Sequence, residues 1–129
     1  MKPVFQPGRN IAMKVPAHEY ERTLAFYRET LALKDLTPVD AEGAQTPRFD
    51  FGGKVLWLDR VPGISQAELW LEVVTDDLEH AADFLQNHDC VRRNEIEPLP
   101  DGFRAFWISS PTNIIHLVSE SCTESPPVQ

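Results

Sequence analysis

The sequence predicts an α+β protein that is built from two copies of one βαβββ module. Segments beginning at Asn10 and at Glu68 align without a gap at an offset of 58 residues. In each segment, apolar residues first alternate as on a β-strand and then recur as on an amphipathic helix. Three short strand signals follow each helix. A single copy could not bury its helix stripe, so we expect the two copies to form one folding unit.

The first strand of each copy is identified by its period of two. This alternation places the apolar side chains on one face of the strand, which is typical of a strand with one buried side. The apolar residues correspond pairwise between the two copies: Ile11, Met13 and Val15 with Leu69, Leu71 and Val73.

The helix of each copy follows its first strand. Acidic residues gather at the start of both helices, where negative charge meets the positive end of the helix dipole. The sequence Asp76-x-x-Glu79 has the form of a capping box. The apolar stripes predicted to pack on the sheet are Tyr20, Leu24, Tyr27 and Leu31 in the first copy and Leu78, Ala82 and Leu85 in the second.

Three strands complete each module. The predicted strands are Asp35–Val39, Arg48–Phe51 and Val55–Asp59 in the first copy and Val91–Ile96, Phe103–Ile108 and Asn113–Val118 in the second. Gly52-Gly53 forms the hairpin turn between the last two strands of the first copy. Our matching of the last strands aligns Leu56 and Leu58 with Ile115 and Leu117.

These elements predict one domain over residues 1–129, made of a module at 10–61 and a module at 64–119. Pro62-Gly63 marks the joint between the modules. The tail at 120–129 has nothing to pack against, and we expect it to fray.

Two segments carry a family resemblance. Thr23-Leu-Ala-Phe-Tyr-Arg-Glu-Thr-Leu-Ala-Leu33, after the first strand, and Ser110-Pro-Thr-Asn-Ile-Ile-His-Leu-Val118, near the end, resemble the vicinal-oxygen-chelate superfamily. That superfamily includes glyoxalase I, extradiol dioxygenases, fosfomycin-modifying enzymes and bleomycin-resistance proteins. The resemblance spans roughly residues 10 to 118, although Ala32 and Asn113 stand where the family usually has glycine. It implies a curved mixed sheet with helices on the convex side, a ligand cleft on the concave side, and a homodimer.

The strand faces opposite the apolar stripes are expected to line this cleft. All three tryptophans fall on these faces, and aromatic walls with a few polar groups are typical of small-molecule sites. The last strand is expected to contribute Ile114, His116 and Val118 to the cleft. The candidate ligand-binding residues are Asn10, Lys14, Arg48, Asp50, Trp57, Glu68, Trp70, Glu72 and Trp107.

The resemblance also indicates where a metal would bind. Metal-dependent members place His, Gln or Glu on the first, fifth and eighth strands, often with a Glu on the fourth. These positions fall on Asn10, Trp57, Glu68 and His116. Trp57 cannot ligate a metal, and the neutral amide of Asn10 is a weak donor suited to hard ions. We therefore predict no metal and no other cofactor.

His116 is the candidate catalytic residue. It could act as a general base near neutral pH, with Glu68 or Glu72 raising its basicity, or simply form a structural hydrogen bond. Lys14, which the repeat aligns with Glu72, either forms an ion pair with Glu72 across the floor of the cleft or binds an anionic group of a substrate.

Charge and composition exclude several classes of partner. The net charge of −8 divides into +1 for residues 1–61 and −9 for residues 62–129, which disfavours nucleic acid and anionic membranes. The N-terminus has no apolar signal core, and Cys90 and Cys122 indicate reduced thiols without a chemical role. We expect a cytoplasmic protein whose partners are a small molecule and a second copy of the chain.

Together these features predict a glyoxalase/bleomycin-resistance-like protein that binds a small apolar or cationic molecule by stacking on its tryptophans. The alternative is a divalent-metal-dependent lyase, isomerase or dioxygenase that uses Glu68 and His116, so the sequence leaves catalysis open. A third class, a structural or partner-binding module, would have a cleft filled by its own tryptophans.

Overall fold

The computed structural model describes residues 2–39 and 45–121. They form an α+β protein in which strands pair in both parallel and antiparallel directions. The strands are β1 (Phe5–Pro7), β2 (Asn10–Pro16), β3 (Arg48–Phe51), β4 (Lys54–Val61), β5 (Glu68–Thr75), β6 (Val91–Arg92), β7 (Ala105–Ser109) and β8 (Ile115–Glu120), and the helices are α1 (Tyr20–Ala25) and α2 (Leu78–Gln86).

The chain divides into two compact units. The N-unit contains the described residues between 10 and 69, and the C-unit contains residues 2–9 together with 70–121. No helix in the described parts of the chain is long and apolar enough to cross a bilayer.

The N-unit has the order β3-β4-β2, with β2 parallel to β4 and β3 antiparallel to it. Its helical segment starts with a 3₁₀ turn at Ala17–Glu19 and ends in a π-helical turn at Phe26–Thr30. The strand predicted at Asp35–Val39 is wrong, because only a single bridge from Asp35 to Phe49 forms there. Two backbone hydrogen bonds flank this bridge, from the Leu36 amide to the Arg48 carbonyl and from the Asp50 amide to the Lys34 carbonyl, each at 2.9 Å. Beyond them, the hydroxyl of Thr37 accepts the amide N–H of Arg48.

The core of the N-unit lies between its helix and one face of its sheet. Val15, Phe49, Leu56 and Leu58 are buried there with Tyr20, and Leu24 and Tyr27 of the predicted stripe pack against them. The Tyr20 hydroxyl donates a hydrogen bond to the Leu58 carbonyl at 3.0 Å. Burial, followed by the nearby charge of Asp59, raises the pKa of this phenol.

The C-unit repeats the same topology, with the order β1-β5-β8-β7-β6. Its first strand, β5, is parallel to its last, β8, as β2 is to β4 in the N-unit. The extra strand β1, which sequence analysis missed, pairs antiparallel with β5. Phe5 of β1 packs against Phe84 of α2 with ring centroids 6.2 Å apart, which adds apolar surface to the core.

The start of α2 differs from the predicted capping box. The N-cap is Asp77, whose carboxylate accepts the His80 amide N–H at 3.1 Å. Asp76 instead accepts the amide N–H of Val4 at 3.1 Å, which joins the start of the chain to this turn.

Two terminal predictions also change. The strand predicted at Val91–Ile96 is reduced to Val91–Arg92, and β8 runs to Glu120, so the first residue of the predicted tail belongs to a strand. Cys122 and the remainder of the tail lie outside the described residues. Cys90 is a half-buried free thiol whose pKa is raised by burial, which lowers its reactivity.

Candidate functional site

The N-unit carries its predicted ligand-binding side chains on the sheet face that lies away from α1. Leu56 and Leu58 pack in the core, so Trp57 between them points to the other face. In the register of the sheet, Trp57 lies beside Ala12 of β2 and Arg48 of β3. Asn10 and Asp50 share this face, because both pair with Val55.

Polar contacts hold the indole of Trp57 at its edge and on its face. Its Nε1–H donates to Oδ1 of Asn10 at 2.8 Å. The guanidinium carbon of Arg48 lies 4.1 Å from the ring centroid, a cation–π contact. Arg48 donates from Nε to the Thr46 carbonyl at 3.0 Å and from Nη2 to Oε1 of Gln45 at 3.3 Å. One face of this indole is therefore occupied by a cation of the chain itself.

Lys14 lies on the same face and forms an ion pair. Its Nζ is 2.7 Å from Oδ2 of Asp59, and its side chain is only 8% exposed. Burial with a carboxylate compensates the desolvation of the ammonium group. Asp50 is exposed and accepts the Gly53 amide N–H at 3.4 Å.

In the C-unit, Trp70, Glu72 and Trp107 lie on the face away from α2. Trp107 pairs with Leu117 of β8, which in turn pairs with Glu72 of β5, so these three side chains point to one side. Phe106, the neighbour of Trp107 along β7, packs against α2 instead. The rings of Trp70 and Trp107 meet edge to face, with centroids 5.1 Å apart at 70°.

The segment after β1 contacts the Glu72 carboxylate and backbone. The Arg9 amide N–H donates to Oε1 of Glu72 at 2.9 Å, and the Gly8 amide donates to the Glu72 carbonyl at 2.8 Å. A side chain at Gly8 would come within 2.7 Å of Cβ of Glu72, so this close approach requires glycine.

Trp107 is covered by the loop between β6 and β7, which sequence analysis did not assign to the site. The indole Nε1–H donates to the Glu97 carbonyl at 3.0 Å, and the Trp107 amide donates to Oδ1 of Asn94 at 3.0 Å. Nη1 of Arg93 reaches the Ser109 hydroxyl at 2.8 Å. Only 7% of Trp107 is exposed. The Trp107 indole is therefore packed under this loop and offers little surface to a ligand.

The prediction that His116 and Val118 face the same side as the tryptophans is wrong. His116 pairs with Leu71 and Ile108, and Val118 pairs with Val73 and Phe106. These partners lie on the side where α2 packs, which is opposite Trp107 and Glu72. The half-buried His116 ring places Nδ1 3.0 Å from the Ile114 carbonyl, the structural hydrogen bond that was the other interpretation.

The error arises from a slip of one residue in aligning the last strands. Met13 pairs with Leu58 in the N-unit, and Leu71 pairs with His116 in the C-unit, so both strands follow the offset of 58. Matching Leu58 with Leu117 added one residue, and a slip of one residue moves every side chain to the opposite face.

The residues present do not fit the divalent-metal site of the metal-dependent relatives. The side of β8 that faces Trp107 carries Ile115, Leu117 and Ser119, and the first two offer no donor. Oδ1 of Asn10 accepts the indole N–H of Trp57. Trp57 itself occupies the position where the resemblance implies a Glu ligand. Glu68 is exposed at the start of β5. Among residues 2–39 and 45–121, no three His, Cys, Asp or Glu side chains gather as metal ligands.

Sequence comparisons identify no relative, because no protein-family model and no curated protein matches this chain. Solved structures do match. A hypothetical protein from Bacillus halodurans C-125 is 14% identical with a TM-score of 0.60, and the match covers 95% of this chain and 99% of that one.

Two enzymes share the same fold. The Mn(II)-bound glyoxalase from Novosphingobium aromaticivorans is 17% identical with a TM-score of 0.61, over 92% of this chain and 40% of that one. A variant of homoprotocatechuate 2,3-dioxygenase from Brevibacterium fuscum is 18% identical with a TM-score of 0.58, over 95% of this chain and 34% of that one. This chain thus spans less than half the length of either enzyme.

These matches show that the chain shares its fold with this glyoxalase and this dioxygenase, which is the fold that the resemblance implied. At this level of identity, the fold is what they establish.

Proposed function

We propose that this chain is a metal-independent small-molecule-binding protein of the glyoxalase/bleomycin-resistance type. The observation that carries the proposal is the placement of tryptophans on the face of each unit away from its helix. Trp57 and Trp70 are half-buried, so the exposed part of each residue adds aromatic surface to its face. Large aromatic side chains beside a few fixed polar groups are the usual lining of a small-molecule site.

The apolar part of the predicted ligand has more support than the cationic part. A cation stacking on Trp57 would have to displace Arg48, which already lies 4.1 Å from the ring centroid. Attraction of a cationic ligand therefore depends on the acidic residues of 62–129 rather than on this indole.

The metal-dependent alternative has less support than it had from the sequence. Its catalytic candidate, His116, lies on the α2 side of β8, and Glu72, which was to raise its basicity, lies on the other side. We derive no catalytic step from these residues.

A second candidate function is a structural or partner-binding module. One observation favours it: the loop between β6 and β7 covers Trp107, and the Glu97 carbonyl of this loop accepts the indole N–H. One of the three tryptophans is therefore already covered by the chain itself. The two candidates differ in whether small molecules reach the remaining indoles.

Tryptophan fluorescence tests the proposal directly. We expect members of a metabolite and antibiotic library to change the emission of the wild-type protein. Trp57→Phe or Trp70→Phe should reduce this change, whereas Trp107→Phe is the control, because that indole is covered. The absence of any response across the library would contradict the proposal and favour the partner-binding module.

Metal analysis tests the alternative. After incubation with nickel, zinc, manganese or iron(II) and removal of free ions, we expect far less than one ion per chain. The amount should not change in His116→Ala. Near-stoichiometric retention that His116→Ala abolishes would instead support the metal-dependent enzyme.

The remaining parts of the proposal concern partners and location. We propose a cytoplasmic homodimer that binds neither nucleic acid nor membranes. The resemblance supports the dimer, and the acidic charge of residues 62–129 supports the two exclusions. Sequestration of a bleomycin-like compound is one function of this type.

A further inference from the structure

We propose that the Arg48 guanidinium, held on the face of Trp57, binds the carboxylate of a small organic ligand. This inference rests on the proposed function and names the polar group of its ligand. It assigns a binding role to a cation that packs on the candidate face and has no carboxylate partner among the residues that the structure describes.

Arg48 differs from three other arginines of the chain, each of which forms an ion pair with a carboxylate. Arg28 bonds to Asp35, Arg93 to Glu95, and Arg104 to both Glu79 and Glu120. Among the described residues, Arg48 hydrogen-bonds only to neutral oxygens, those of Thr46 and Gln45. Its positive charge is therefore not neutralised by a direct ion pair with them.

Two carboxylates, Asp50 and Asp59, lie on the strands that carry Arg48 and Trp57. Asp59 is already bound to Lys14 at 2.7 Å, and that pair neutralises the other cation of this face. Asp50, two residues along β3, is exposed and accepts the Gly53 amide. Neither carboxylate hydrogen-bonds to Arg48, so within residues 2–39 and 45–121 no carboxylate pairs with this guanidinium, and an anion supplied by a ligand can do so.

The guanidinium of Arg48 has the donors and the orientation that a carboxylate needs. A guanidinium has five N–H donors, and toward the described residues Arg48 commits one from Nε and one from Nη2, which leaves three not used by that part of the chain. Stacking on Trp57, whose own ring is held by Asn10, limits the orientations of the guanidinium. A planar donor in a restricted orientation suits a carboxylate, which can accept two parallel hydrogen bonds from it. The apolar part of such a ligand would lie against the exposed part of the indole.

The test compares three probes of nearly equal size: benzoate, neutral benzamide and cationic benzylammonium. Binding is followed through the indole N–H resonances in a two-dimensional ¹H–¹⁵N spectrum, with Trp57→Phe used for assignment. We expect benzoate to bind about tenfold more tightly than either other probe, as one charge-assisted contact allows. The Trp57 resonance should shift most, with that of the covered Trp107 as the internal reference.

The variants separate the guanidinium from general charge. Arg48→Gln should weaken benzoate about tenfold and leave benzamide nearly unchanged, and Arg48→Lys should recover only part of the loss. Arg60→Gln is the matched control, because Arg60 is exposed and pairs with the core residue Val15 on the opposite face of the same sheet. Far-UV circular dichroism establishes that each variant is folded.

Several results would overturn the inference. They are equal affinity for benzoate and benzamide in the wild type, no loss in folded Arg48→Gln, or an equal loss in Arg60→Gln. If these probes fail while other library compounds bind, the carboxylate site is wrong and the proposed function stands. If nothing in the library binds, both fall.

Discussion

At the scale of single residues, left-handed backbone positions occur where the superfamily that the sequence resembles usually has glycine. Ala32 has φ of 53°, and Asn113, at the other such position, has φ of 65°. Ala32 follows the π-helical turn, where Leu33 N–H donates to the Tyr27 carbonyl and closes the helix. The departures from glycine therefore leave the backbone conformation in place, at a cost that is larger for alanine than for asparagine.

We expect Ala32→Gly to raise the free energy of unfolding by roughly 1 kcal/mol, because glycine adopts this conformation without a Cβ penalty. Urea denaturation measures the change. The matched control is Ala25→Gly, at φ of −63° in α1, which should lower the free energy of unfolding by about 0.5–1 kcal/mol. A loss of similar size in both variants would contradict the explanation.

At the scale of elements, a three-residue network joins the start of α2 to the end of β8. Arg104 bonds to Glu120 of β8 at 2.6 Å and to Glu79 of α2 at 2.8 Å. Glu120 also accepts the Leu78 amide N–H, an otherwise unsatisfied donor in the first turn of α2. The hydrogen bonds from Arg104 lower the pKa of both carboxyls below their ordinary value of 4.5.

This network predicts a pH-dependent contribution to stability. Carboxyls with lowered pKa stabilise the folded state above pH 4.5, and they lose this contribution as the pH falls through their folded pKa values. The wild type should therefore be more stable than Arg104→Gln at pH 7, and the difference should shrink near pH 3, measured by urea denaturation at each pH. Added salt should also shrink it, since these groups are exposed.

The control for this prediction is Arg60→Gln, which removes the same charge from an exposed position in the N-unit. Its difference from the wild type should change less with pH, because Arg60 has no ion pair among those found in the described residues. A difference for Arg104→Gln that stays constant from pH 7 to pH 3 would show that the network contributes nothing through its charges.

At the scale of the whole molecule, the dominant electrostatic feature is the net charge of −8. Like charges repel more strongly in the compact state than in the unfolded chain, so excess negative charge destabilises the fold. Salt screens this repulsion. Raising ionic strength from about 0.01 M to about 0.15 M shortens the Debye length from about 30 Å to about 8 Å.

We expect the Tm at pH 7 to rise when sodium chloride is increased over this range. The rise should be smaller near pH 4.9, the isoelectric point calculated from the sequence, because the net charge there is near zero. Differential scanning calorimetry at both pH values measures the effect. A Tm that falls with salt at pH 7 would mean that attractive pairs outweigh the repulsion.

The fold class, the repeat and the buried face of most strands could be predicted from the order of the residues alone. These predictions follow from local periodicity, since the alternation of residues on β2 or β4 identifies one apolar face without any knowledge of the neighbouring strands. The packing of Tyr20, Leu24 and Tyr27 and the face of Trp57 were predictable for this reason, whereas Leu31, the fourth residue of the predicted stripe, is 46% exposed.

Three features are seen in the folded chain and were not predicted: the side of β8 that carries His116, the loop that covers Trp107, and the stacking of Arg48 on Trp57. Each depends on a turn or loop with no periodic signal: the turn before β8 sets its register, and the loop between β6 and β7 supplies the Glu97 carbonyl. Strand periodicity repeats every two residues, so one residue in a turn is enough to exchange the two faces. Contacts between segments that are distant in the sequence form only in the folded chain, and local residue patterns do not predict them.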